Sequence, residues 1–139
     1  MWFRNLQLYR LEQHFDLSPE TLDERLHKQA FREINPGETA TAGWVSPLGR
    51  NGRQLVHAAN GRIMICARRA EKIIPAGVVR QLLDDRVAEI EAAESRDVKR
   101  REKMRMKDDI IVDLLPRALI RMTDQYAYID TTSDLLVVD

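Results

Sequence analysis

Apolar and polar residues alternate from Trp2 to Leu11. Phe3, Leu6, Leu8 and Leu11 are separated by Arg4, Gln7 and Arg10, with Tyr9 in the polar register. A period near two predicts one strand, or two short strands joined by a bulge. Ser18-Pro19-Glu20-Thr21 then marks a helix start, with Ser18 as N-cap and Pro19 in the first helical position. Leu22, Leu26 and Ala30 recur at helical spacing through Phe31, and Asn35-Pro36-Gly37 closes that unit. Gly43 to Gly52, which includes Trp44 and Pro47, reads as a loop or an edge strand. The sharpest local signal follows. Leu55–Ala59 and Ile63–Cys66 flank Asn60-Gly61, and a type I′ hairpin turn favours that pair because both central residues need positive φ. His57 and Cys66 lie in this hairpin, where packing in a sheet is their expected role rather than catalysis or metal binding.

From Val78 to Leu115 the chain has neither Gly nor Pro. Val79, Leu83, Val87 and Ile90 form one apolar stripe, and Ile111, Leu114, Leu115 and Ala118 form a second. A single helix of ~38 residues would reach ~57 Å, too long for a domain of this size. The stripe also lapses between Ala93 and Met104, so two helices with a turn near Ser95 to Val98 are expected, projecting as an arm. After Pro116, the segments Ala118–Thr123, Tyr126–Asp130 and Leu135–Val138 read as three strands of a meander, with Thr131 to Asp134 as the last turn. The predicted class is therefore α+β: an antiparallel or mixed sheet in the order β-α-ββ-αα-βββ with a long-helix arm. Residues 1–76 with 117–139 would make a sheet-based central domain, and 77–116 a helical tip.

Composition narrows the function. The 139 residues are 44% hydrophobic and 32% charged, as in a soluble protein with a modest core. One Cys excludes an internal disulfide framework and a Cys-rich zinc site. The apolar runs are too short to span a membrane, and the amino terminus has no signal-peptide core, so a reduced, cytoplasmic setting is expected. The formal net charge is zero, with 22 basic and 22 acidic side chains. That sum hides a local excess. Arg96 to Lys107 reads RDVKRREKMRMK, with seven basic residues against Asp97 and Glu102, between acidic stretches at Asp84–Glu94 and Asp108–Asp113. Such a block is felt by a phosphate backbone within a Debye length of ~8–10 Å. A solvated helix laced with ion pairs would tend to avoid like-charge pairs such as Arg101/Arg105 and Lys103/Lys107. Arg outnumbers Lys 17 to 5, which suits bidentate phosphate contacts and equally reflects base composition.

No catalytic motif accompanies the block. Leu48-Gly49-Arg50-Asn51-Gly52-Arg53 lacks the ending of a phosphate loop, and no HExxH, CxxC or GxSxG occurs. His14, His27 and His57 fall on separate elements. Asp108, Asp109 and Asp113 could be taken for a metal-binding carboxylate set. At helical spacing, though, Asp109 and Asp113 share a face, and acids near a helix start are expected on dipole grounds.

Four blocks carry a further signal: WFRNLQLYRL at the start, GWVSPLG (43–49), HAANGRIMICARRAEKIIP (57–75), and MKDD…LLPRA (106–118) followed by YIDTTSDLLVVD. In order and spacing they resemble the bacterial recombination-associated RdgC family across essentially the whole chain. Members are longer, and the resemblance covers their amino-terminal half. It implies non-specific DNA binding that restrains a RecA-type recombinase. It also implies part of a central sheet with a helical tip, and two subunits closing into a ring with a basic inner wall. On this basis Leu115 and Leu119 would lie at an apolar homodimer contact, Leu119 standing where a Phe is expected in relatives.

The expectation is a non-enzymatic protein with no cofactor, no metal and no catalytic residue. It would contact the phosphate backbone of double-stranded DNA without reading bases, as a nucleoid-associated homodimer indirectly linked to a RecA-type recombinase and not to a membrane. Arg96, Lys99, Arg100, Arg101, Lys103, Arg105 and Lys107 form the expected contact set. Arg68, Arg69, Lys72 and Arg117 stand second. The rival expectation is a dimerisation or protein-interaction module with little DNA affinity. A third is a nuclease using Asp108, Asp109 and Asp113.

Overall fold

The structure, a computed structural model, describes residues 4–139. Its elements are β1 (Gln7–Arg10), α1 (Pro19–His27), β2 (Ala40–Val45), β3 (Val56–Ala59), β4 (Arg62–Ile73), α2 (Ala76–Glu94), α3 (Arg100–Leu114), a short 3-10 turn (Leu115–Arg117), β5 (Leu119–Asp130) and β6 (Leu135–Val138). The strands form one sheet in the order β1-β6-β5-β4-β2, with β3 pairing β4 off that path. The pairs β1/β6, β3/β4 and β5/β6 are antiparallel. This is the expected α+β fold. Trp2 and Phe3, the start of the first predicted strand, lie outside the described residues.

The chain divides into two compact units. One comprises Met1–Glu33, Thr41–Ala70 and Met122–Asp139; the other comprises Ile34–Ala40 and Glu71–Arg121. In the first unit, Ser18 caps α1 by accepting a hydrogen bond from the Thr21 amide, with Pro19 beginning the helix. Leu22 and Leu26 of α1 pack on Val56, Ile63, Ile65 and Ile129, which face them from the sheet. The helix stops at His27, short of the predicted Phe31. There the backbone turns to pair with β2: Phe31 N–H donates to the Trp44 carbonyl at 2.8 Å, and Trp44 N–H donates to Gln29 at 3.0 Å. That close approach requires Gly43, because a Cβ there would lie 2.5 Å from Phe31 Cα. Gly43 and Trp44 thus belong to a strand at one end of the sheet.

Asn60 (φ 51°) and Gly61 (φ 73°) form the two-residue turn, with Ala59 opposite Arg62. Cys66 is fully buried, and burial pushes its thiol up to about 11. His57, expected to pack, is instead exposed, because it sits on the outer face of β3. The meander also differs from expectation. Leu119–Thr123 and Tyr126–Asp130 belong to one strand, β5, preceded by Ala118 as the cap of the 3-10 turn and followed by β6. The polar interruption between them is a paired position rather than a turn: Asp124 receives a two-pronged hydrogen bond from Arg68 at 2.6 and 2.7 Å.

In the second unit, α2 and α3 form an antiparallel hairpin over Val87, Val98 and Met106, with Leu83 and Ile90 against them. Ser95 ends α2 in the left-handed region (φ 50°), where the apolar stripe lapses. The two helices have 19 and 15 residues, roughly 28 and 22 Å at 1.5 Å per residue, in place of a single long one.

Candidate nucleic-acid interface

The basic block occupies the helical turn and the first half of α3. Val98 is buried and anchors the turn, while its N–H donates to Glu91 at 3.0 Å. Arg96 closes the turn. Its guanidinium donates to Glu102 at 2.8 and 2.9 Å and also to Glu94, and these carboxylates raise its pKa further. Glu102 is correspondingly held below the usual carboxylate range by Arg96. Arg96 is therefore a clamp within the turn, its fork already occupied.

The neighbouring cations are differently placed. Lys99 is the N-cap residue of α3 and contributes no side-chain cap. Lys99, Arg100, Arg101, Lys103, Arg105 and Lys107 are exposed, and none has a carboxylate within ion-pair distance among the described residues, although Lys99 also helps hold Glu102 in its charged form. Met106 and Ile110 form the buried stripe of α3. At 100° per residue, Arg101 and Arg105 lie on the opposite face, with Met104 and Val112 exposed beside them.

This arrangement runs against the helix dipole. Arg100, Arg101 and Lys103 crowd the amino-terminal end of α3, where backbone N–H groups already carry positive partial charge. Asp108, Asp109 and Asp113 lie toward the carboxyl end, where the partial charge is negative. The expectation that these acids begin a helix is thus corrected: α3 starts eight residues earlier, at Arg100, so Asp108 and Asp109 lie mid-helix and Asp113 lies in the last turn. The dipole acts within the first and last turns, so its penalty falls on Arg100, Arg101 and Lys103 and on Asp113. A phosphate, by contrast, is favoured at such an end both by the dipole and by the cations.

The second-choice cations are mostly engaged inside the molecule. Arg68 is bound two-pronged to Asp124, which raises its own pKa and holds Asp124 below its ordinary range, and its guanidinium carbon lies 5.8 Å from the Phe31 ring centroid. Lys72 donates to the Asn35 carbonyl at 3.0 Å and to that of Pro36. Arg69 is exposed with an interaction of its own. Arg117 is exposed in the 3-10 turn and lines a groove with Asp85, Glu89 and Asp113. Of the two residues assigned to a dimer contact, Leu115 is buried and Leu119 is 78% exposed. The sequence ranks the block ahead of Arg68, Arg69, Lys72 and Arg117 but does not show which cations are paired; the carboxylates that separate them, Glu94, Glu102 and Asp124, are legible there only as acids.

Among the described residues, no three His, Cys, Asp or Glu side chains come together as a metal-binding group. No helix among them is long and apolar enough to cross a membrane.

The fold and this surface define an α+β protein that presents an unpaired basic helix end. The sequence model of the family described as "Putative exonuclease, RdgC" matches residues 1–139. The chain belongs to that RdgC family. It is 40% identical over its full length to the recombination-associated protein RdgC of Yersinia pestis strain Pestoides F and to that of Yersinia pseudotuberculosis serotype O:1b, and 39% identical to that of Tolumonas auensis. It spans 46% of the length of each of these relatives.

Proposed function

We propose that this chain binds double-stranded DNA through its phosphate backbone, using the amino-terminal half of α3 and the turn before it. The observation that carries this reading is the set of exposed cations from Lys99 to Lys107 without ion-pair partners, the first of them at a helix end where the dipole disfavours them. No base-reading element accompanies them, so binding is insensitive to sequence. Coating DNA in this way would restrain a RecA-type recombinase by occupying its substrate, a role consistent with the recombination-associated names of the relatives. This role needs no catalytic step and places the protein on the nucleoid. The family description reads "Putative exonuclease", and among the described residues no three His, Cys, Asp or Glu side chains converge as a metal-binding group.

The test is a fluorescence-anisotropy titration of a labelled duplex at increasing salt. Binding that falls with a log–log slope of about −0.9 per phosphate engaged supports the reading. Flat binding, or none at low salt, overturns it. Exposed Leu119 and Ile120 favour a second role, self-association. Light scattering should then show that Leu119→Asp lowers the assembly mass while leaving salt-dependent DNA contact in the monomer.

A further inference from the structure

In the second unit, a groove of about 370 Å³ opens between the start of α2 and the middle of α3. Its walls are apolar: Ile74, Val79, Leu83 and Ile111. Arg80 and Lys107 line it as well, one from each helix. Both cations are exposed, and neither has an ion-pair partner among the described residues, although Asp84 follows Arg80 by one helical turn and Asp108 adjoins Lys107. A groove with partly buried apolar walls, flanked by unpaired positive charge, is complementary to an apolar side chain flanked by negative charge. The volume suits one leucine-sized side chain and its adjoining backbone, not a folded domain.

We propose that this groove docks a short acidic segment of a partner protein. An aliphatic side chain would enter between Val79, Leu83 and Ile111, and flanking carboxylates would meet Arg80 and Lys107. A nucleic acid fits less well, because its phosphates would satisfy the two cations and leave the apolar walls open. Lys107 also belongs to the proposed DNA-contact set, but Arg80 and the apolar walls do not, and the peptide is tested without DNA, so the inference does not depend on that reading.

The probe is a fluorescein-labelled Asp-Asp-Leu-Asp-Asp peptide, titrated by anisotropy with the full chain in the absence of DNA. Saturable binding is expected, weakened at least about tenfold when the peptide's Leu is Ala, since a buried leucine side chain is worth more than that factor. A similar loss is expected for the all-Asn peptide, and for the double variant Arg80→Glu/Lys107→Glu. These two side chains are exposed, so the variant's circular dichroism should match that of the parent. Peptide variation needs no change in the protein, which keeps the result independent of folding. Equal binding of the Leu and Ala peptides would show a generic polyanion surface and overturn the proposal. Unchanged binding by the doubly reversed variant, or no binding by the parent, would overturn it too.

Discussion

The basic residues of this chain fall into two populations that the sequence does not distinguish. In the sheet-containing unit, Arg68 holds Asp124 with two hydrogen bonds. In the helical hairpin, Lys99, Arg100, Arg101, Lys103, Arg105 and Lys107 stand exposed without such partners, and only Arg96 among the block is tied down. The same residue types therefore do opposite things. A paired Arg contributes structure and cancels its own field, while an unpaired one at a helix amino terminus costs stability and projects field outward. Zero net charge sets both populations alike against the 22 acidic side chains, so it says nothing about either.

The sharpest way to break this comparison is to remove the unpaired group. Arg100→Ala/Arg101→Ala/Lys103→Ala/Arg105→Ala should lower duplex affinity by orders of magnitude at low salt. It should also make the salt slope shallower by about 3–4, at about 0.9 per lost phosphate contact. Because these charges oppose the dipole and repel one another, thermal stability should stay level or rise slightly. Denaturation and anisotropy on the same preparation check both. A large loss of stability with an unchanged slope would place these residues in the structural population instead.

Arg96 tests the boundary between the populations. Arg96→Ala frees Glu94 and Glu102 and loosens the turn around Val98. Amide hydrogen exchange across residues 95–103 should accelerate. DNA affinity should fall only a few-fold, with the salt slope unchanged, since no phosphate contact is lost. A slope shallower by about 0.9 would show instead that Arg96 leaves its carboxylates for DNA.

How much of this was legible beforehand depends on whether the signal was local. The Asn60-Gly61 turn, the Ser18-Pro19 cap and the break near Ser95 are short-range, and each stands where the sequence places it. The errors came from contacts distant in sequence. Gln29–Phe31 left the helical register because Trp44 captured their backbone. Asp124–Gln125 separates two predicted strands because nothing local announces that Asp124 meets Arg68, 56 residues away. The basic block was visible as composition. Its meaning required knowing that α3 begins at Arg100, which sets the sign of the dipole along it.

The smallest expected effect on DNA, none at all, belongs to Arg68→Ala, and it sharpens the comparison from the structural side. The side chains of Arg68 and Asp124 are 29% and 28% exposed, so solvent screens this charge-assisted, two-pronged pair to a contribution of about 1 kcal/mol. Duplex affinity and salt slope should remain those of the parent, while urea denaturation at neutral pH shows that loss. The pH dependence identifies its origin. The pair holds Asp124 below its ordinary value of 3.8 in the folded state. Its contribution is therefore complete above that value and is lost as pH falls through the depressed folded value, where Asp124 becomes protonated in both states. The stability gap between parent and variant should close across that acid window. If the gap persists unchanged in acid, the stabilisation comes from the guanidinium over the Phe31 ring, a contact that survives protonation of Asp124. Arg68 would still be structural, held by an aromatic face instead of a carboxylate.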